Sequence, residues 1–267
     1  MGIIAFSIGN LNFYWYGFML SMAILAGMAI TRLVLFFRHE RFEPVLDLLL
    51  WGLPVGLIFS RIFYVVLHWH LYAGKFVEVF SLTRGGFSIY GAFLGFLCVL
   101  YFYTKIVNVS LWSWLDRLVP AFVLGLAIVQ LGNFVLQTVV GMPDDGKIVE
   151  YIEYAFRPAG FEQYEYFTPV ALYQSIWQFV TFLIISILTW IQIKNHSILA
   201  GNIFLIGMSL VCLGRFLFGF FYLSIQTGMQ LHLGQVFSLG GFIFCSGLYL
   251  LRKFVPYNFM IKNIFRV

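Results

Sequence analysis

Charge is scarce in this chain: only 10% of its 267 residues are Asp, Glu, Lys or Arg, against about 25% in a soluble domain. That scarcity excludes a water-facing surface over most of the chain, so the solvent for these side chains is lipid. Acidic residues are the rarer kind, 11 against 16 basic ones, giving a net charge of +5. The basic residues are spread between apolar segments and form no groove, so no nucleic-acid partner is expected. Loop charges that follow the positive-inside rule account for them. Cysteine is confined to Cys98, Cys212 and Cys245, all in apolar runs without metal-ligand spacing. They read as membrane-packed thiols, which excludes a disulfide framework and a zinc site. G-x-S-x-G, H-E-x-x-H and P-loop signatures are missing too. His39, His68, His70, His196 and His232 lack acidic partners at ligand spacing. They read as interfacial or loop groups, and neither a metal nor a cofactor is expected. No internal repeat or broken-helix pair supports a transporter.

What is present is apolar length. The chain is 61% hydrophobic with a mean hydropathy of +0.92, and a span needs about 20 apolar residues. Seven segments qualify, at roughly 13–36, 46–68, 87–104, 115–137, 169–193, 199–223 and 233–253. The stretch from Phe13 to Ile30 exceeds a signal-peptide core and no A-x-A-like site follows it, so it reads as a retained span. The expected fold is an all-α integral membrane protein, one domain over 1–267. Its long polar segment, 138–168, holds six of the eleven acidic residues and two basic ones. With the N-terminus outside, ten basic residues (Arg32, Arg38, Arg41, Lys105, Arg117, Lys194, Arg252, Lys253, Lys262 and Arg266) are cytoplasmic. Four (Lys75, Arg84, Lys147 and Arg157) are outside. The excess favours an outer N-terminus, a cytoplasmic C-terminus and an outer loop 138–168.

Few polar groups interrupt these runs, so each is informative. Arg61 in the second span and Arg215 in the sixth stay charged at biological pH. In the bilayer centre each costs at least roughly 2.5–3.5 kcal/mol unless it finds water or a partner. A lipid phosphate is the natural anion, and with Arg84 the two arginines would form a bidentate clamp. The alternative is that each bonds backbone carbonyls or an acidic neighbour. Gly85 and Gly86 allow unusual backbone conformations and would set Ser88 and Tyr90 at the lip of the third span. Tyr90 then bonds a headgroup or serves as an interfacial anchor. Gly91 and Gly95 form a small-residue helix face. Gln130 and Asn133 are three apart and share one helix face, with Gln137 continuing the stripe. They either join helices or donate to a headgroup.

Read together, these segments resemble the bacterial prolipoprotein diacylglyceryl transferase family from about residue 4 to 250. IAFSIGNLNFYWYGFM (4–19) is similar to its N-terminal strand-like piece and W-Y-G, which carries Tyr16. SRIFYVV (60–66) is similar to G-R-x-x-Y-V, and RGGFSIYGAFLG (84–95) to G-G-[ML]-S-x-H-G-G-x-x-G. PAFVLGLAIVQLGNFVLQTVVG (120–141) resembles P-x-x-x-x-G-x-x-x-G-R-x-G-N-F-x-N-x-E-x-x-G. TPVALYQS (168–175) stands in the place of H-P-[ST]-Q-L-Y-E. GRFLFGFFY (214–222) resembles F-R-x-x-x-E-x-x-R, and GQVFSL (234–239) matches G-Q-x-[LF]-S. The departures are concentrated at ionisable positions. The motif histidine is Tyr90, the signature arginine is Gln130, and the signature asparagine and glutamate give way to Gln137-side residues and Thr138. The span-five histidine is Thr168. After Arg215 the glutamate is Gly219 and the second arginine is Tyr222.

The resemblance implies transfer of the diacylglyceryl group of phosphatidylglycerol to a lipobox cysteine thiol, in the bacterial inner membrane and without a cofactor. It assigns Tyr90 and Arg215 to catalysis. Arg61, Gln130, Asn133, Tyr16 and Arg84 fall to lipid binding. Expected partners are phosphatidylglycerol, the prolipoprotein signal-peptide region and membrane lipids. The replaced ionisable residues leave an alternative: a catalytically silent member that binds lipid or lipoprotein.

Overall fold

Each of the seven apolar segments forms a helix in the computed structural model, which describes residues 4–8, 11–72, 86–195, 198–223 and 233–254. They are α1 (Trp15–Phe37), α2 (Glu43–Leu67), α3 (Ile89–Ile106) and α4 (Leu111–Val135). After the polar segment come α5 (Val170–Asn195), α6 (Asn202–Gly219) and α7 (Leu233–Phe254). The shortest have 18 residues, roughly 27 Å of helix at 1.5 Å per residue, enough to cross most of a hydrocarbon core. The chain is a multi-pass α-helical membrane protein. Its lipid-facing character shows in side chains such as Phe36, Trp51 and Phe244, all largely exposed.

α1, α3 and α4 end in the same way. A non-glycine residue just past each helix takes a left-handed conformation: His39 (φ 56°), Asn108 (φ 55°) and Gln137 (φ 51°). The residue after it then donates back five residues, as Glu40 N–H to Leu35 O, Val109 N–H to Thr104 O and Thr138 N–H to Asn133 O at 3.0–3.1 Å. These bonds satisfy carbonyls that the helix end leaves unpaired.

The chain divides into two compact units, Leu35–Trp114 and Met1–Val34 with Leu115–Val267. In the smaller, α2 and α3 pack through glycine. A Cβ on Gly91 would lie 2.5 Å from Phe59 O and 2.9 Å from Ser60 Cα, and one on Gly95 would lie 3.0 Å from Gly56 Cα. The small-residue face read from the sequence is therefore a backbone-to-backbone helix contact.

In the larger unit, Val119 and Val123 of α4, Ile185 of α5, and Ile203 and Val211 of α6 form the buried core. Asp116 of α4 is 1% exposed and caps α6 from outside that helix. Its carboxylate accepts from Gly201 N–H (2.6 Å), Phe204 N–H (2.8 Å) and Gln192 Nε2 (3.0 Å). An anion at a helix N-terminus answers the unpaired N–H groups there. A hairpin of β1 (Ile4–Ile8) and β2 (Leu11–Tyr14) precedes α1, so the N-terminal piece is a strand pair.

The polar segment 138–168 is ordered. β3 (Glu150–Tyr151) pairs antiparallel with β4 (Tyr166–Phe167). Gly141 and Pro143 bridge to Tyr222 and Phe167. Met142 N–H donates to Phe221 O at 2.9 Å, fastening the segment to the end of α6. Arg157 organises its interior, with Nε donating to Ile152 O (3.0 Å) and Nη1 to Glu162 O (2.9 Å). This anchoring also explains a boundary. The sixth apolar run reads to 223, but α6 stops at Gly219 because the next residues leave the helix to pair with the loop.

Candidate functional site

Where α6 ends, the larger unit has a half-open cavity of about 230 Å³ lined by Arg215, Gly219, Tyr222, Leu223, Gly234 and Gln235. Arg215 and Gly219 lie one turn apart on α6, and Gly234 and Gln235 come from the start of α7. Gly219 makes the close approach possible. A Cβ there would meet the Gln235 side chain, 2.8 Å from its Cδ and Nε2, and Gln235 is only 3% exposed. The cavity combines a permanent cation with a phenol, an amide and apolar walls, a lining suited to a phosphate with an attached polar group.

Behind Tyr222 runs a chain of neutral polar groups. Thr138 Oγ1 donates to Asn133 Oδ1 (3.0 Å), and Asn133 Nδ2 donates to Gln130 Oε1 (2.9 Å). Gln130 Nε2 in turn donates to Gln174 Oε1 (2.7 Å), which also accepts from Tyr222 Oη at 3.1 Å. The i, i+3 spacing does bring Gln130 and Asn133 together. Their amides join each other and α5, so they form a wall joined to the cavity through Tyr222. Gln137 does not continue the stripe. Its left-handed backbone ends the helix, and its side chain donates to Tyr151 O (2.8 Å) and accepts from Glu153 N–H (3.2 Å), pinning the loop.

Arg61 belongs to the smaller unit and is 4% exposed. Its Nη1 donates to Gly86 O at 3.0 Å, and its guanidinium carbon lies 5.2 Å from the Tyr72 ring centre and 6.0 Å from that of Tyr64. Gly86 has φ +79°, and a Cβ there would sit 2.5 Å from Tyr64 Cε1 and 2.9 Å from Arg61 Nη1. The glycine thus sets its carbonyl against the guanidinium, and the backbone-carbonyl role open in the sequence is realised. Ser88 N–H donates to Ser60 O (3.2 Å), fixing the start of α3 beside Arg61's helix. Half-buried Tyr90 lies in the first turn of α3. Tyr16, 46% exposed, is in the first turn of α1. Arg84 lies outside the described residues.

Two carboxyls of the polar segment have altered acidity. Burial pushes Glu150, on β3, up to about 7. Glu162 is held below the ordinary carboxylate value by backbone N–H bonds from its own residue and from Gly160, the latter at 3.0 Å. Gln174, Gln235 and Asp116 were not singled out by the sequence reading. Their signal was present, since each is a polar residue within an apolar helix, but the partners that give it meaning lie far along the chain.

The sequence matches the family model described as prolipoprotein diacylglyceryl transferase over residues 3–251. A phosphatidylglycerol–prolipoprotein diacylglyceryl transferase of Synechocystis is 32% identical over 264 residues, covering 96% of this chain and 92% of the relative. The same-named protein of Acaryochloris marina is 31% identical, covering 94% and 92%. That of Listeria innocua is 27% identical, covering 94% and 89%. Matched along almost all its length, with Arg215 at the cavity and Asn133 in the wall behind it, the chain belongs to the prolipoprotein diacylglyceryl transferase family.

Proposed function

We propose that this protein transfers the diacylglyceryl group of phosphatidylglycerol to the cysteine thiol that follows a prolipoprotein signal peptide. The observation that carries the reading is Arg215, a cation within a membrane helix that lines a cavity beside a buried amide wall. The thiol sulfur attacks the glyceryl carbon bonded to the phosphate oxygen. A C–S bond forms, that C–O bond breaks, and glycerol phosphate leaves with the electron pair. The thiol proton ends on the phosphate.

Each residue has a stated part. Arg215 takes the developing phosphate charge, where a fixed cation in a low-dielectric site is most effective. Tyr90 relays the proton by accepting it from the thiol and donating its own. Gln130 and Asn133 hold Tyr222 and the headgroup side of the cavity through Gln174. Arg61, Arg84 and Tyr16 bind lipid. The N-terminus and the segment 138–168 face outward and the C-terminus faces the cytoplasm, in the bacterial plasma membrane, a reading supported by the basic-residue bias.

The test is rescue of a bacterium depleted of its own transferase, read as the mobility and membrane retention of a reporter lipoprotein. Rescue is expected and should fall about 10²–10³-fold in rate with Arg215→Ala. Absence of rescue by well-expressed protein overturns the reading.

A further inference from the structure

Arg215 serves the cavity only if α6 is turned the right way. Successive helical residues point about 100° apart, so a rotation of that size would carry its guanidinium off the cavity wall, and a charge in lipid is costly. Asp116 holds the start of α6, and the polar loop holds its end. Between them, Trp177 of α5 grips the helix at the residue before Arg215. Its Nε1–H donates to Leu210 O at 2.9 Å. The same indole lies flush with Gly214, where a Cβ would collide with Cδ1 and Nε1 and lie 3.0 Å from Cγ. One turn on, the Phe218 ring meets it edge-on at 6.2 Å. Leu210, Gly214 and Phe218 recur every fourth residue and form one face of α6. Arg215 and Gly219, the cavity residues, each follow that face by one position. Trp177 itself stands on a fixed base, because Ser175 Oγ of the same helix donates to Ala127 O of α4 at 2.9 Å.

We propose that Trp177 is the positioning residue of Arg215: its indole keys into Gly214, fixes the setting of α6 and so aims the guanidinium at a phosphate in the cavity. The hydrogen bond to Leu210 sets the height of the helix, and the glycine socket sets its rotation. Leu210 O keeps its place in the helical ladder, since a carbonyl oxygen can accept two donors. Trp177 therefore adds orientation without disturbing the helix it holds. The inference rests on reading the cavity as the lipid-phosphate site.

Binding of short-chain phosphatidylglycerol by the full chain in detergent micelles tests this, through a double-mutant cycle of Trp177→Phe and Arg215→Ala. Phenylalanine keeps a ring beside Gly214, removes the donor and strands no group. Trp177→Phe is expected to weaken binding about 5-fold and Arg215→Ala at least about 10-fold. The double variant should bind no more weakly than Arg215→Ala alone, because without the guanidinium there is nothing left to aim. A tryptophan that merely stabilised the bundle would exact its loss in both backgrounds, and the two losses would multiply. That result, or binding unchanged by either single substitution, overturns the proposal. Gly214→Ala drives a methyl into the indole from the α6 side and carries the same cycle should Trp177→Phe fail to fold. Transfer to a lipobox peptide separates the two readings. Coupled binding losses without transfer overturn the transferase alone, and transfer with losses that multiply overturns this inference alone.

Discussion

Glu150→Gln should leave the polar loop unchanged in acid and tighten it in base. Glu150 is 8% exposed on β3, paired opposite the fully buried Phe167, and burial raises its carboxyl from 4.5 to about 7. When the loop opens to water the carboxyl returns to its ordinary value. Below pH 4.5 both forms hold the proton and pH has no effect. Between 4.5 and 7 the open loop releases it while the closed loop keeps it, so each pH unit favours opening by about 1.4 kcal/mol. Above 7 both are ionised and the loss is complete, on the order of 3 kcal/mol. Glutamine has no proton to release. The variant should match the original at pH 4 and be more protected by up to that amount at pH 8. The Ile152 amide reports it, since its N–H bonds Glu165 O at 3.0 Å across the strand pair. Hydrogen exchange at that amide, corrected for the intrinsic rate at each pH, measures the opening. An equal change at both pH values, or none, refutes the argument.

Three further outcomes are expected. Asp116→Ala strands the N–H groups of Gly201 and Phe204 and the Gln192 amide, and should cost about 3–5 kcal/mol. Thermal unfolding in detergent measures it, with Asp116→Asn less harmful because one acceptor oxygen remains. Gly219→Ala drives a methyl into the Gln235 side chain and should cost about 1–3 kcal/mol. Reporter-lipoprotein turnover should fall with it while the helix content seen by circular dichroism holds. Gly91→Ala sets a methyl against the α2 backbone at Phe59 and Ser60 and forces those helices apart. Its melting temperature should drop more than that of Gly247→Ala, whose added Cβ meets nothing within 4 Å.

The spans were legible because membrane helices announce themselves by composition: seven apolar runs gave seven helices, with ends differing by a few residues. The shifted ends have local causes. Gln137 ends α4 through a left-handed backbone, a role that glycine usually fills, so its side chain looked like one more polar rung. The loop after it carried charge and aromatics, which read as a polar connector. Its order comes from pairing with Phe221 and Leu223, some 80 residues away, and no local pattern signals such a partner. The amide wall was half legible. Helical spacing joined Gln130 to Asn133, but Gln174 comes from another helix 44 residues later.

That contact changes what the missing ionisable residues mean. Taken singly, Gln130 and Tyr222 look like two arginines lost from the family pattern, and Gln174 stands where the pattern has a glutamate. In the folded chain the three touch, because Gln174 Oε1 accepts from both of the others. A buried charge deprived of its partner costs roughly 3–5 kcal/mol, so losing only one member of such a cluster would leave the others stranded. With amides and a phenol at all three positions no charge is stranded, and hydrogen bonds join them. In this chain the cluster is one of neutral dipoles, and Arg215 is the cation of the cavity. Oriented dipoles in a low-dielectric site still act on developing charge without reorganising. Neutral residues at these positions therefore do not by themselves abolish an electrostatic role for the cluster. The arrangement places the cavity's charge on one arginine and leaves the surrounding wall neutral and hydrogen-bonded.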